Sequence, residues 1–243
     1  MADLGCKRGR WTRETPVTST MRERSPNDRL VVAIVAYQGV LADETEVFHD
    51  LLTEFPHARV VTVGERLGVV AGPGGAQEVE ATFADLDRAD VVVVPGGLGA
   101  HRHPEISLWL RRIRPRFVLA SSTGSALLAA SGLLRGRTAV THWLAGPLLE
   151  RHGATVSMER VFVDLPFVTC SGLASAFDAT YLVARHIGGP SLVREIKQRL
   201  TERQDAKPAP PPTRRARHRR DADMAQQQPS PLRLVEVELD HDR

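Results

Sequence analysis

The chain has 243 residues, of which 42% are hydrophobic, 25% charged and 5% aromatic, and its formal net charge is +3 at neutral pH. This composition is typical of a globular protein. The two cysteines exclude a disulfide framework, and no apolar stretch reaches the roughly 20 residues of a membrane-spanning helix. A sequence pI of about 9.2 leaves nucleic-acid binding open.

The excess of basic over acidic residues lies at the two ends of the chain, outside the segment whose pattern predicts a fold. Residues 1–29 carry seven basic and four acidic side chains and no apolar periodicity, which predicts a disordered extension. Residues 201–243 are predicted to form a disordered Pro/Arg-rich tail, with six basic side chains and no acidic one in 207–220. No aromatic residue is interleaved there, so a solvated linker is favoured over a weak nucleic-acid contact. Residues 30–200 are nearly neutral.

Residues 30–200 alternate between strand and helix patterns. Apolar runs predict buried strands at 30–37, 58–64, 90–97 and 117–121, with two shorter strands in ATVSM and FVTCS. Gly-rich residues 68–83 predict a small hairpin. Helical spacing predicts helices at 44–55, from Pro104, through 127–129 up to a left-handed cap at Gly132, and at 142–153, 174–187 and 191–200. This alternation predicts an α/β fold, a flavodoxin-like three-layer sandwich whose mostly parallel sheet has helices on both faces.

Active sites in such folds lie beyond the carboxyl ends of the strands. Three loops in that position carry glycine or polar residues: Gly39 to Glu44, Gly96-Gly97, and Ser121 to Gly124. If their strands are neighbours, these loops should converge on one site.

Ala120-Ser121-Ser122-Thr123-Gly124 resembles a nucleophile elbow, the sharp strand-to-helix turn that exposes a reactive side chain. In this interpretation Ser122 lies at the apex, and the N–H groups of Thr123 and of a glycine in the Pro95-Gly96-Gly97 loop could stabilise an anionic intermediate. A tight turn capped by serine is the structural alternative.

A serine nucleophile needs a base, because its hydroxyl is unreactive at neutral pH. Glu44, after the first strand, and His142, at the start of a helical stretch, are the candidates. The histidines show no metal spacing, and Gly72-Pro73-Gly74-Gly75 lacks the Lys-Ser/Thr of a phosphate loop, so neither metal nor cofactor is predicted. Cys170 lies in an apolar strand and is predicted to be inert.

Residues 30–190 resemble the DJ-1/PfpI superfamily, whose fold is that of class I glutamine amidotransferase domains, and in particular its isonitrile hydratases and the ligand domains of AraC-type regulators. Four segments carry the resemblance in the family's order: VVAIVAYQGVLADETEVF, DVVVVPGG, VLASSTGSALLAASGLLRGRTAVTHW and TCSGLASAFDATYLVARHIGG. The string from the elbow to Thr141-His142-Trp143 is the most specific.

The resemblance implies a role for each site residue. Glu44 falls where the family has an acid beside its nucleophile, and Gly97 and Thr123 fall where backbone N–H groups form the oxyanion site. His142 falls where many members have a histidine, and the role implied for Asp178 is structural. The family's nucleophile is a cysteine, and this chain has Ser122 there. A serine does not ionise at a helix N-terminus as a cysteine does, and it has no redox chemistry.

Two functions therefore stay open. The intact elbow favours an enzyme, a hydratase or amide-type hydrolase that acts on a small carbon–nitrogen compound through Ser122 as nucleophile or through a positioned water. Loss of the cysteine favours a catalytically silent member that binds a small ligand or acts in regulation. The tail is too short and Pro/Arg-rich for the helix-turn-helix region of the regulators. The resemblance implies a homodimer, and the lack of a signal or membrane span predicts a cytoplasmic protein.

Overall fold

The computed structural model describes residues 29–206. It contains eleven strands: β1 Leu30–Val35, β2 Ala58–Gly64, β3 Gly68–Gly72, β4 Gly75–Val79, β5 Ala81–Thr82, β6 Val91–Val94, β7 Phe117–Ser121, β8 Thr138–Ala139, β9 Thr155–Val156, β10 Val161–Asp164 and β11 Phe167–Cys170. Seven of them form the main sheet in the order β10-β11-β7-β6-β1-β2-β5. Only β10 pairs antiparallel in this sheet, so the predicted mostly parallel sheet is confirmed.

Helices cover both faces of this sheet, as predicted. They are α1 Ala42–Thr53, α2 Pro104–Ile113, α3 Gly124–Ala130, α4 Gly146–Arg151 and α5 Ala176–Ala206. One core joins the sheet to α2, α3 and α4, and a second core joins its other face to α1 and α5. The backbone leaves helical geometry at Gly188 and Gly189 inside α5, which separates the two helices expected at 174–187 and 191–200.

The residues predicted to begin or end helices and to form the hairpin are found in those positions. Pro104 is the first residue of α2. Gly132 has a φ of 73° just beyond α3, and its N–H donates to the Ala129 carbonyl, so the predicted left-handed cap is present. Residues 68–79 form the expected hairpin of β3 and β4.

At the far edge of the sheet the observed strands differ from the predicted ones. The ATVSM segment contributes only β9, which pairs with β8 in a separate two-stranded sheet. Strand β10 was not predicted, because it is a half-buried edge strand whose short pattern is flanked by charged residues and a proline. The predictions for residues 1–28 and 207–243 lie outside the described residues. Within 29–206 no helix has the length and apolarity to cross a bilayer.

Candidate active site

The three polar loops converge at the carboxyl ends of β1, β6 and β7, which are neighbours in the sheet. The Leu41 N–H donates to the Gly96 carbonyl at 2.8 Å, and the Leu98 N–H donates to the Gly39 carbonyl at 2.8 Å. Gly97 in turn contacts Thr123 through a hydrogen bond of 2.8 Å. Backbone and side-chain hydrogen bonds therefore bind the three loops into one site.

Ser122 occupies the sharp turn between β7 and α3. Its φ of 53° lies in the left-handed region, where a residue other than glycine is strained. Two contacts hold this conformation: the Ser122 N–H donates to the Cys170 carbonyl at 2.9 Å, and the Thr141 hydroxyl donates to the Ser122 carbonyl at 2.9 Å. The Ser122 side chain is 4% exposed. The turn thus has the strained geometry that the sequence pattern suggested, while the role of Ser122 as nucleophile stays a prediction.

Two glycines allow the turn to approach its neighbours. A Cβ on Gly96 would lie 2.7 Å from Ser122 Cβ, 3.0 Å from Ser122 Oγ and 3.2 Å from Glu44 Oε2. A Cβ on Gly124 would lie 2.2 Å from the Val94 carbonyl oxygen. Gly96 therefore stands between the serine and the carboxyl group, and Gly124 lets α3 start directly against β6.

We expect Gly124→Ala to lower the free energy of unfolding by about 3 kcal/mol, because the clash is with backbone that cannot move aside. Gly146→Ala is the matched control. Its Cβ would meet nothing closer than 3.9 Å, and its φ of −50° suits alanine. The control should be neutral or stabilising by up to about 1 kcal/mol. Urea denaturation of both variants checks this, and equal stabilities would contradict the packing at Gly124.

Glu44 is a buried carboxyl group in the first turn of α1, only 4% exposed. Its Oε2 accepts a hydrogen bond of 2.8 Å from the Gly96 N–H. Burial raises the pKa of Glu44, and this effect outweighs the lowering by the Gly96 N–H, the nearby hydroxyls of Ser121 and Ser122, and the charge of His142. The acid form of Glu44, beside the Ser122 hydroxyl, therefore persists to a higher pH than that of an ordinary glutamate.

This raised pKa makes stability depend on pH. The stabilising contribution of neutral Glu44 is complete below the pKa it has in the unfolded chain and is lost as the pH rises through the higher folded value. Glu44→Gln keeps the size and stays neutral. We expect the unfolding free energy of the wild type to fall relative to that of the variant between about pH 5 and pH 8. Urea denaturation at both pH values tests this, and parallel behaviour of the two proteins would contradict it.

His142 is half-buried and precedes a 3-10 turn at Trp143–Ala145. Its Nδ1 accepts a hydrogen bond of 3.3 Å from the Leu144 N–H, so in a neutral ring the proton lies on Nε2. It influences Glu44 electrostatically but forms no hydrogen bond with Ser122 within the described residues. With its free lone pair engaged, this ring is not arranged as a base for Ser122.

The oxyanion residues differ from the expectation in one respect. The Gly97 N–H donates to Thr123 Oγ1 at 2.8 Å, and that hydroxyl donates back to the Gly97 carbonyl at 2.9 Å. Gly97 N–H is therefore already bonded and is not free for an oxyanion. Thr123 itself lies at the N-cap position of α3, directly after Ser122, as the elbow pattern requires.

Two further residues, Cys170 and Asp178, complete the description of the site. Cys170 is fully buried in register with Ser121, and burial raises the pKa of its thiol to about 11, so the thiolate is disfavoured. Asp178, in the first turn of α5, lies 3.5 Å from Arg160 in an exposed ion pair. Residues 29–206 contain no group of His, Cys, Asp or Glu side chains that could hold a metal ion.

Tyr37 is a site residue that no sequence pattern indicated. Its side chain is 4% exposed and its hydroxyl donates to the Pro95 carbonyl at 2.8 Å, which braces the Gly96-Gly97 loop. Burial, and secondly the nearby Glu44, raise the pKa of Tyr37 above its usual range. The available signal was its place at the end of the first predicted strand, two residues before Gly39.

The fold and the site together define a doubly wound α/β protein with one strained polar turn at the carboxyl edge of its sheet. The chain belongs to the DJ-1/PfpI family, whose model matches residues 30–185.

Similar proteins include an enzyme and a regulator. An isonitrile hydratase of Pseudomonas putida is 32% identical over 169 residues, which cover 67% of this chain and 72% of that protein. The HTH-type transcriptional regulator CdhR of Pseudomonas aeruginosa is 28% identical over 148 residues, which cover 56% of this chain and 44% of the regulator, so the chain spans less than half of its length. Among solved structures, a ThiJ/PfpI family protein from Pseudomonas syringae matches with a TM-score of 0.66 at 22% identity, covering 86% of this chain and 93% of that one.

Proposed function

We propose that this protein hydrates small isonitriles to N-substituted formamides, with Ser122 and Glu44 as the reacting pair. The observation that carries the proposal is a buried carboxyl group, whose pKa is raised by burial, beside a serine in a strained turn. The isonitrile hydratase among the relatives supports the substrate class.

In the first step, protonated Glu44 gives its proton to the isonitrile carbon as Ser122 Oγ forms a bond to that carbon. The serine proton passes to the Glu44 carboxylate, and the product is a formimidate ester, R–N=CH–O–Ser122. One group thus acts as acid and then as base, which requires a pKa above that of an ordinary glutamate. The Gly96 N–H keeps the carboxyl group in place throughout.

In the second step, water adds to the formimidate carbon and the nitrogen takes up a proton. The bond between carbon and Ser122 Oγ then breaks, the serine regains its proton, and R–NH–CHO leaves. The net reaction is addition of one water to R–NC, with no redox change. Protonated Glu44 supplies the proton that the nitrogen takes up and receives one from the attacking water. It then protonates the leaving serine oxygen and takes the hydroxyl proton of the intermediate, so it ends the cycle protonated.

The other site residues have supporting roles in this proposal. Burial has the largest effect on Glu44 and raises the pKa of that carboxyl group, while His142 acts on it electrostatically in the opposite direction. Thr123 N–H is the oxyanion donor nearest the apex. Gly97 N–H joins it only if the Thr123 hydroxyl rotates away from its present bond.

Product analysis tests the proposal directly. The purified chain is incubated with aliphatic and aromatic isonitriles, with simple amides and with α-ketoaldehydes, and products are identified by mass spectrometry. Formation of N-substituted formamide from an isonitrile is the expected result. Turnover of an amide alone would replace the hydratase by a hydrolase, and no turnover of any class would overturn the enzymatic proposal.

A second candidate is a catalytically silent member that binds a small ligand. It is favoured by the serine at the position of the family's cysteine, by the engaged Gly97 N–H and by the regulator among the relatives. In that case isonitriles or amides would shift the melting temperature without being consumed, and the shift would be insensitive to Ser122→Ala.

Assembly and location are also proposals, and only the assembly follows from family membership. We propose a homodimer, which light scattering of the full chain tests, and a cytoplasmic location. Weak contact of the basic tail with nucleic acid is not favoured.

A further inference from the structure

Ser121, the residue before the apex of the turn, carries a buried hydroxyl group without a partner. Its side chain is fully buried, and its Oγ forms no hydrogen bond with any of residues 29–206. An unpaired buried hydroxyl group is costly, and a catalytic role is one physical reason for such a group to persist.

The register of the sheet directs the Ser121 side chain to the face that α1 covers. Side chains alternate along a strand, and Phe117 and Leu119 of β7 enter the core shared with α1 and α5. Ser121 therefore points to the same face. Its register partner in β11 is Cys170, which lies in that core as well. Glu44 belongs to α1, so its carboxyl group reaches the turn from the side to which the Ser121 hydroxyl points.

The two carboxyl oxygens of Glu44 face different neighbours. Oε2 accepts from the Gly96 N–H, which follows β6. Oε1 lies towards β11, because a Cβ on Gly172 would be 3.7 Å from it. Burial is the largest influence on the pKa of Glu44 and raises it, while the Ser121 hydroxyl is one of the groups that lower it. The hydroxyl is thus close enough to act on the carboxyl group, although the two are not hydrogen-bonded in this structure.

We propose that Ser121 is a positioning residue, whose hydroxyl turns to the Glu44 carboxylate and donates to it once Glu44 has given its proton to the substrate. This role rests on the proposed function. The proton stays on Ser121 Oγ throughout, and the hydrogen bond is lost when Glu44 is protonated again. A hydrogen bond to a charged acceptor is roughly twice as strong as one to a neutral acceptor. Ser121 therefore stabilises the charge that develops on Glu44 more than it stabilises the resting acid.

Other titratable groups around Glu44 come from several segments. Tyr37, after β1, and Cys170, in β11, stay neutral near pH 7 because burial raises the pKa of each. His142, in the loop before α4, acts on Glu44 electrostatically. Asp178, at the start of α5, is exposed and forms an ion pair at the surface. A test of Ser121 must therefore separate the ionisation of Glu44 from that of its neighbours.

The pH dependence of stability makes this separation and needs no substrate. Urea denaturation gives the unfolding free energy of the wild type and of Ser121→Ala, each with and without Glu44→Gln. Subtracting each Glu44→Gln counterpart isolates the contribution of Glu44, which falls as the pH rises to the folded pKa and then levels off. In Ser121→Ala the levelling-off is expected at a higher pH than in the wild type, because the carboxylate loses a donor.

Ser125→Ala is the matched control. It makes the same change at another fully buried hydroxyl group that has no partner within the described residues. Ser125 belongs to α3, which packs on the opposite face of the sheet from α1. The contribution of Glu44 should therefore level off at the same pH in this variant as in the wild type. Circular dichroism confirms that each variant keeps its fold.

Turnover then distinguishes a positioning role from a structural one. At low pH, where Glu44 is protonated in both proteins, Ser121→Ala should hydrate isonitriles about 10-fold more slowly than the wild type. Its fall in turnover at alkaline pH should also begin at a higher pH. A structural defect would lower turnover without moving this fall.

The outcomes for Ser121 and for the proposed function can be told apart. An unchanged levelling-off in Ser121→Ala, or an equal shift in Ser125→Ala, would overturn the hydrogen bond to Glu44. The expected shift with undiminished turnover would overturn its role in catalysis. If the wild type itself hydrates no isonitrile, the proposed function fails, and a shift in stability would still support the contact between Ser121 and Glu44.

Discussion

Ser122→Ala is expected to lower isonitrile hydration by at least about 1,000-fold, because the covalent step loses its only oxygen nucleophile. The turn itself should survive, since the contacts that hold it use only backbone atoms of Ser122: its N–H donates to the Cys170 carbonyl, and its carbonyl accepts from the Thr141 hydroxyl. Formamide formation followed by mass spectrometry, with a melting curve for each variant, separates lost chemistry from lost folding.

Two companion variants make this result specific. Ser131→Ala removes a hydroxyl that only bonds the Leu128 carbonyl at the end of α3, and it should keep wild-type turnover. Ser122→Cys restores the family's nucleophile and should retain or exceed wild-type activity, because a thiol is more nucleophilic. Undiminished turnover in Ser122→Ala would show that water reacts without the serine. Activity confined to Ser122→Cys would identify the wild type as a silent member.

The strand-helix alternation was readable because buried parallel strands are continuous apolar runs. The central strands β6 and β7 correspond to the apolar runs in DVVVVPGG and FVLAS. Glycines after these runs mark the turns at the carboxyl ends of the two strands. Strand β10 escaped prediction, since an edge strand with one half-buried face carries a weak pattern. Which loops lie close together in space could be predicted only from the rule that active sites in these folds lie beyond the carboxyl ends of the strands.

The same limit applies to the site. Sequence pattern selected Ser122, Glu44 and Thr123 because each follows a strand that had been recognised. It could not show that the Thr123 hydroxyl would take up the Gly97 N–H, since that contact joins residues 26 positions apart. Nor could it show the tautomer of His142, which depends on a bond to Leu144. The orientation of polar groups depends on packing, and this orientation determines whether Glu44 or His142 is available as the base.

Glu44→Gln is the second decisive variant, and we expect it to reduce turnover by about 100- to 10,000-fold. The amide has nearly the same shape and can still accept from the Gly96 N–H, but it cannot give a proton to carbon or take one from serine. Glu65→Gln, which makes the same change at an exposed position, should be fully active. An active Glu44→Gln would remove the carboxyl group from the mechanism.

The pH profile adds a test that a merely structural role of Glu44 would not pass. Because burial raises the pKa of Glu44, the reactive acid form persists above the range of an ordinary glutamate and disappears as the pH rises through the folded value. Turnover by the wild type should therefore be flat at low pH and fall at higher pH. The residual turnover of Glu44→Gln should show no such fall, since that side chain does not titrate. An identical alkaline fall in both proteins would assign the ionisation to another group.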